Sequence, residues 1–155
     1  KNTAKIDMGA IAMSYKHVYV AQVAMGANPA QLIKAMQEAE AYNGPSVIIC
    51  YAPCDAHGIK GGLGNHQQVQ RDAVESGYVA LYRYNPASDK PLTIDSKEPD
   101  WSKFEDFMLR ETRYNQLPKI NPEHYKDLFA FTKECAQSRY QNLLDIKAAQ
   151  ETEEK

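Results

Sequence analysis

The chain has 155 residues, which suits one ordinary domain or a domain with a helical tail, and it is 43% hydrophobic and 25% charged. These proportions are typical of globular proteins and exclude a chain that is disordered throughout. No apolar run approaches the roughly 20 residues that a bilayer requires, and a net charge of -2 argues against a nucleic-acid surface built on bulk positive charge. Three cysteines are few and odd in number, which argues against a disulfide scaffold and favours a reducing compartment.

The start of the chain has no initiator Met, no apolar signal core and no Arg-rich transit pattern. We interpret this start as a cut in a longer polypeptide. Residues 1–60 carry few charges, whereas residues 61–155 carry most of them. Because few charges indicate many buried positions, the first part is predicted to lie inside a larger fold and the second part to form surface and wrapping.

The first predicted elements are a short helix at residues 7–15, buried on both faces, and a buried strand at residues 18–23. A second helix is predicted to begin with Asn28 as its N-cap, Pro29 in the first position and Gln31 completing a capping box. This helix ends near Gly44, and its expected apolar face is Leu32, Ile33, Ala35, Met36 and Ala39.

Residues 46–52 (SVIICYA) form a continuous apolar run of strand length. Such runs are typical of strands that are covered on both faces in a parallel sheet. Together with the preceding strand and helix, this run predicts a βαβ unit with a right-handed crossover.

The second half is predicted to consist of loops, helices and one short strand, with Gly77 ending the first helix in the left-handed conformation. In chain order, we expect a glycine-rich loop at 61–64, a helix at 65–77, a strand at 79–84, a loop at 85–99, and helices at 101–114 and 122–147. The residues expected to face inward from the last two helices are Phe104, Phe107, Met108, Leu109, Leu128, Phe131, Cys135, Leu143 and Ile146. The fold class is therefore α/β, with a parallel or mixed sheet.

The segment most suggestive of chemistry is the loop that follows the apolar run, because ligands bind at the carboxyl edge of open α/β sheets. Pro53 ends the predicted strand, and Cys54 takes the first loop position. Cys54 could ligate a metal or an iron–sulfur cluster, act as a nucleophile, or have no special role. The loop has no Cys-x-x-Cys pair, so spacing alone leaves these alternatives open. Cys50 and Cys135 are interpreted as buried packing residues.

Structural roles, rather than catalysis or metal binding, are favoured for the other polar and aromatic groups. His57 could form a Cys-x-x-His metal pair with Cys54, but we favour a hydrogen bond to the loop backbone. The remaining histidines have no partner at ligand spacing, which favours structural or solvated roles for His17, His66 and His124. The glycines at 61–64 lack the Gly-Lys-Ser/Thr ending of a phosphate loop. Packing is favoured for Tyr82 and Tyr84, and helix capping and solvation for the carboxylates of residues 95–106.

Several of these stretches together resemble the pyruvate:ferredoxin (flavodoxin) oxidoreductases. The resemblance begins in DMGAIAMSYKHVYVAQVAMGANPAQLIKAMQEAEAYNGPSVIICYAPCDAHGIKGG, continues through RDAVESGYVALYRYNP and IDSKEP, and is weaker at 113–117. The combination of MGAN, the GPS entry to a strand, YAPC-x-x-HGI and GY-x-x-LYRYNP is specific. The matching region is the C-terminal part of the family's thiamin-diphosphate-binding domain.

This resemblance implies a fold and an activity. The expected fold is the C-terminal half of a three-layer thiamin-diphosphate-binding fold at residues 1–85, followed by a loop and two helices that wrap it at residues 86–155. The family oxidises pyruvate with coenzyme A to acetyl-CoA and CO2 and passes electrons to ferredoxin or flavodoxin. Its cofactors are thiamin diphosphate with Mg²⁺ and three 4Fe–4S clusters, and it is usually a homodimer.

Cys54 matches the family cysteine that is the last ligand of the 4Fe–4S cluster nearest thiamin. The resemblance gives no ligand role to His57, which could orient the loop or adjust the cluster potential by a hydrogen bond. The chain has no motif for Mg²⁺ and diphosphate and no CxxC pair. We therefore expect the thiamin-binding motif and the other cluster ligands to lie upstream, and the isolated chain to be inactive. No catalytic residue is predicted in this segment.

Two alternatives remain open at this stage. The segment could belong to a related 2-oxoacid:ferredoxin oxidoreductase, since the substrate pocket lies elsewhere, or it could be a non-catalytic structural or dimerisation module. The resemblance favours a cytoplasmic enzyme of anaerobic metabolism, with a hydrogenosome-like organelle as the other location. No nucleic-acid or membrane partner is expected.

Overall fold

The computed structural model describes residues 3–54 and 61–152, in which α-helices pack around a mixed four-stranded sheet. The strands are β1 (Tyr19–Val23), β2 (Ser46–Cys50), β3 (Tyr82–Tyr84) and β4 (Leu92–Ile94). The helices are α1 (Met8–Ser14), α2 (Pro29–Ala41), α3 (His66–Glu75), α4 (Phe104–Met108), α5 (Thr112–Asn115), α6 (Leu117–Ile120) and α7 (Tyr125–Thr152). The α/β fold class is confirmed.

The sheet has the strand order β2-β1-β3-β4. β1 and β2 are parallel, with Tyr19 opposite Ser46 and Val23 opposite Cys50, so the predicted β1–α2–β2 unit is confirmed as a parallel pair joined by a helix. β3 runs antiparallel to β1, and β4 runs antiparallel to β3.

The residues of β1 alternate between two hydrophobic layers, as the period of a strand requires. Tyr19, Ala21 and Val23 pack with Ala35 of α2 on one face of the sheet. On the other face, Val20 packs with residues of α1, β3 and α7, namely Met13, Tyr82 and Leu143. A further cluster joins α4 to α7 through Phe104, Met108, Phe129 and Ala136.

Several elements begin or end where the sequence predicts. The Asn28 side chain accepts a hydrogen bond from the Gln31 N–H at 3.0 Å, and Pro29 is the first residue of α2. Gly77 has φ +80 directly after the C-cap of α3, which confirms it as the left-handed residue that ends this helix. An alanine Cβ at Gly77 would also lie 2.5 Å from the Trp101 ring.

Other elements differ from the sequence prediction. The predicted loop at 85–99 contains β4, and the predicted helix at 101–114 is divided into a 3-10 turn at Trp101–Lys103, α4 and α5. The last helix begins at Tyr125 and continues to Thr152. β4 is a strand of three residues that exists through its pairing with β3, so no local periodicity marks it.

The capping box and several packing positions were also predicted wrongly. The Gln31 side chain is buried and donates to the Gln22 carbonyl at 3.2 Å and to Asp95 at 3.1 Å instead of closing a cap. Burial against the sheet directs this amide inward. Large apolar residues of the first two helices, of β2 and of α7 are exposed: Met8, Ile11, Tyr15, Ile33, Met36, Val47 and Ile146. Cys50 is exposed at the end of the edge strand β2.

The opposite edge strand, β4, is capped by a side chain of α7. Gln150 accepts a hydrogen bond from the Leu92 N–H at 2.9 Å and donates one to the Leu92 carbonyl at 2.7 Å. The amide therefore satisfies both groups that a neighbouring strand would otherwise pair. Within the described ranges, no helix has both the length and the apolar character needed to cross a membrane.

Replacing Gln150 with leucine is expected to lower the free energy of unfolding by about 1–3 kcal/mol, because it leaves a partly buried backbone N–H and C=O unsatisfied. The measurement is the midpoint of urea unfolding. Gln141→Leu on the same helix is the control, since its exposed amide donates to the exposed side chain of Asp145 at 2.8 Å, and its change is expected to stay within about 0.5 kcal/mol. Equal midpoints for the two variants would contradict the capping role.

Candidate functional site

Cys54 lies just past the carboxyl end of β2, at the edge of the sheet that the sequence predicted for it. The last ladder hydrogen bond runs from the Tyr51 N–H to the Val23 carbonyl at 2.9 Å, and Pro53 is buried beyond it. Cys54 itself is exposed. A thiol placed there is accessible to a ligand bound outside the carboxyl ends of β1 and β2.

Residues 55–60 lie outside the described residues. His57 is one of them, so its hydrogen bond to the backbone stays a prediction. Of the other cysteines, Cys50 is exposed at the end of β2, which corrects the packing role predicted for it, whereas Cys135 is half-buried on α7.

The described part of the chain contains no group of three or more His, Cys, Asp or Glu side chains that could hold a metal ion. An exposed thiol at a loop start fits a single ligand position, because 4Fe–4S clusters are held by four cysteine thiolates. The described residues therefore do not supply a complete ligand set for a cluster at Cys54.

The loop after β1 packs tightly against the start of α3. The Gly26 N–H donates to the Gln70 side-chain oxygen at 2.8 Å, and the Arg71 Nε donates to the Gly26 carbonyl at 2.9 Å. A Cβ at Gly26 would lie 2.5 Å from the backbone oxygen of Gln67, so only glycine allows this approach. The MGAN stretch is thereby fixed to α3.

The same helix also reaches the segment that carries Cys54. The Gln70 amide nitrogen lies 3.2 Å from His66 Nδ1, and His66 Nε2 lies 3.2 Å from the Pro53 carbonyl oxygen. Gln70 is buried although it is polar. The sequence favoured a structural or solvated role for His66 and gave none to Gln70. Their spacing of four residues in the first turns of a helix is the one local sign that they act together.

A cavity of about 330 Å³ lies beside the end of β2 and is lined by Lys5, Gln22, Tyr51, Tyr78 and Arg139, among others. The Lys5 ammonium donates to the hydroxyl of Tyr78 and, at 3.2 Å, to that of Tyr114. Burial raises the pKa of both Tyr51 and Tyr78 well above the ordinary range. These phenols are therefore protonated at neutral pH and can donate hydrogen bonds but cannot act as bases.

The carboxylates of residues 95–106 do not share one role. Asp100 caps the 3-10 turn by accepting from the Ser102 N–H at 3.1 Å, and the hydrogen bonds from Ser102 lower its pKa. The prediction of capping and solvation is wrong for Asp95. Its two carboxylate oxygens accept from the Nε and a terminal nitrogen of Arg83, both at 2.9 Å. Tyr82 is buried, in agreement with its predicted packing role.

Comparison with known proteins places the chain within longer relatives, although no family model matches it. It is 48% identical over 143 residues to the pyruvate-flavodoxin oxidoreductase of Enterobacter agglomerans and 49% identical over 143 residues to the pyruvate:ferredoxin oxidoreductase of Moorella thermoacetica. Each match covers 90% of this chain and 12% of the relative. A mitochondrial pyruvate dehydrogenase [NADP(+)] of Euglena gracilis is 41% identical over 127 residues, which are 79% of this chain and 7% of that protein.

Proposed function

Because the chain is a homologue of one segment of the pyruvate-flavodoxin and pyruvate:ferredoxin oxidoreductases, we propose that it works as that segment within a longer oxidoreductase. The reaction proposed for the whole enzyme converts pyruvate and coenzyme A to acetyl-CoA and CO2, and two electrons pass through 4Fe–4S clusters to ferredoxin or flavodoxin. The observation that carries this proposal is an identity near 48% over 90% of the chain but only 12% of the relative.

Within that enzyme, the proposed role of Cys54 is to supply one thiolate to a 4Fe–4S cluster. Its exposure directly after β2 supports this role, because the cluster and its other three ligands need open space beside the thiol. When bound, such a cluster accepts and passes on single electrons. Thiamin diphosphate and Mg²⁺ are proposed to be held mainly by parts of the polypeptide outside this chain.

The open edge of the sheet supports a place inside a larger fold. The Tyr19 backbone N–H donates to the Pro45 carbonyl, and the Tyr51 backbone N–H donates to the Val23 carbonyl, both at 2.9 Å. These bonds direct the backbone groups of alternate β2 residues toward β1. By that alternation, the N–H and C=O groups of Ser46, Ile48 and Cys50 point away from β1. No second strand pairs with β2 in the described part of the chain. We propose that the remainder of the polypeptide covers this edge and the exposed apolar residues of α1 and α2.

The same proposal includes a homodimer and a cytoplasmic location for the full-length enzyme. A second candidate function is a purely structural module, which is favoured by the exposed apolar residues of α1 and α2, such as Met8, Ile33 and Met36, because they suit docking on neighbouring parts of the polypeptide. The two candidates differ in whether Cys54 touches a cofactor.

Replacing Cys54 with serine in the full-length enzyme separates these candidates. The expected result is loss of one 4Fe–4S cluster, measured as iron per polypeptide and by electron paramagnetic resonance, together with at least about a tenfold loss of pyruvate-dependent dye reduction. Cys50→Ser is the matched control, since Cys50 is also exposed and lies four residues earlier. If both variants keep all their iron and their activity, the ligand role is wrong and the structural module is favoured.

A further inference from the structure

We propose that His66, held by Gln70, is a positioning residue that fixes the backbone on which Cys54 is carried. This inference rests on the proposed function, in which the Cys54 thiolate ligates a cluster. It assigns a role to two residues of α3 that reach the backbone of the segment carrying Cys54. The contacts form a relay from the loop after β1, through α3, to the loop after β2.

The hydrogen bonds of the relay determine one another's direction. The Gly26 N–H can only donate, so the Gln70 atom 2.8 Å away is its oxygen. The Gln70 NH2 group therefore faces His66 Nδ1 at 3.2 Å and donates to it. A neutral imidazole that accepts at Nδ1 carries its hydrogen on Nε2, and this hydrogen points to the Pro53 carbonyl at 3.2 Å.

The relay begins from a rigid support. Gln70 is 3% exposed, and its neighbours Val69 and Ala73 are buried in the core. Arg71 binds the Gly26 carbonyl from the same helix, and Gly26 approaches the Gln67 backbone too closely to admit a side chain. The position of the imidazole is thus set by the packing of α3 on the β1 loop.

The accepting group lies one bond from the ligand residue. Proline has no N–H, so its carbonyl is the only hydrogen-bonding group of the Pro53 backbone. Because the peptide bond is planar, a hydrogen bond to that carbonyl fixes the whole Pro53–Cys54 peptide plane and with it the position of the Cys54 Cα. Groups that orient a metal ligand in this way affect metal affinity and redox potential.

Two substitutions of His66 separate positioning from general stability. His66→Gln can place a donating amide near the position of Nε2 and so keep the bond to Pro53. His66→Asn can accept from Gln70 near the position of Nδ1, but it is too short to reach Pro53. Both variants are uncharged and polar, which makes them a matched pair.

The test is made in the full-length enzyme, with the reduction potential of the cluster, its electron paramagnetic resonance spectrum and the rate of iron release to a chelator as readouts. His66→Asn is expected to shift the potential and the spectrum and to release iron about 10–100-fold faster, whereas His66→Gln stays close to the parent enzyme. If both variants match the parent, or both lose the cluster equally, the positioning role is overturned. Cys54→Ser is made in parallel. If that variant retains the cluster, the proposed ligand role of Cys54 is itself wrong, and this outcome is distinct from a failure of the positioning role of His66.

Discussion

Replacing Arg83 with methionine is expected to lower the free energy of unfolding by about 3–5 kcal/mol, because it leaves the poorly solvated Asp95 carboxylate without its cation and removes from Glu38 a cation 2.5 Å away, while Lys34 stays 4.0 Å away. The Arg83 side chain is 10% exposed and its partner Asp95 is 13% exposed. Arg83 also donates to Glu38 at 2.5 Å, and Glu38 accepts from the Tyr19 hydroxyl at 2.9 Å. The hydrogen bond to Asp95 is the largest of the causes that raise the pKa of Arg83, which favours the charged guanidinium.

The matched control for this prediction is Arg110→Met. The Asp72 partner of Arg110 is 19% exposed, but the Arg110 side chain is 48% exposed against 10% for Arg83, so solvent screens this pair and it is expected to contribute about 0–1 kcal/mol. Urea unfolding of the two variants under the same conditions gives the comparison. Equal losses of stability would mean that the buried pair contributes no more than a surface pair, and the explanation from burial would then be wrong.

The Arg83 network illustrates what the sequence could not predict. Arg83 stands in an apolar strand, VALYRY, and Asp95 stands in a stretch that was interpreted as a polar loop. They meet because β3 and β4 form a hairpin that pairs Arg83 with Thr93, and because α2 brings Glu38 to the same face of the sheet. The hairpin brings Asp95 to Arg83, and the crossover helix brings Glu38. The crossover was predicted from the sequence, but the hairpin was not visible in local periodicity, so the contact of the three side chains could not be predicted.

The parts that were predicted correctly depend on local chemistry. The start of α2 follows from the capping geometry of Asn28 and the fixed φ of Pro29, and the end of α3 follows from the left-handed conformation of Gly77. The parallel β1–β2 pair follows from two apolar runs separated by a helix of the right length. The two helix ends are determined within a few residues, and the strand pair within the continuous stretch of residues 19–50.

The exposed apolar residues of β2 show where the predicted burial and the observed burial differ. The sequence of β2 predicts a strand covered on both faces, whereas the structure leaves Val47 and Cys50 exposed at the sheet edge. The relatives are much longer polypeptides, of which this chain spans only 12%. An apolar strand at the edge is consistent with such a longer chain, because further residues could cover it. The local pattern and the exposed strand therefore agree once the strand is placed inside a longer polypeptide.

The placement of Cys54 could likewise be predicted, because a cysteine after an apolar strand and a proline must lie at the carboxyl edge of the sheet. Its supporting contacts could not be predicted. His66 contacts Pro53 across 13 residues of sequence, and Gln70 contacts Gly26 across 44. Contacts of this range depend on how α3 packs against both loops.

Replacing Gly26 with alanine tests that packing directly, and we expect a loss of about 1–3 kcal/mol or more in the free energy of unfolding. The added Cβ would lie 2.5 Å from the Gln67 backbone oxygen and 2.8 Å from its Cα, so a helix backbone, not a flexible side chain, would have to move. The same displacement would lengthen the hydrogen bond from Gly26 to Gln70 and loosen the contact between His66 and Pro53.

The control is Gly64→Ala, where a Cβ would meet nothing within 4 Å. This change is expected to be neutral or stabilising by a few tenths of a kcal/mol, because alanine restricts the unfolded chain. In the full-length enzyme, Gly26→Ala should also speed iron release to a chelator, as His66→Asn does, whereas Gly64→Ala should not. Equal stability of the two alanine variants would show that α3 moves away from the β1 loop without cost, and the rigid support that the His66 relay requires would be absent.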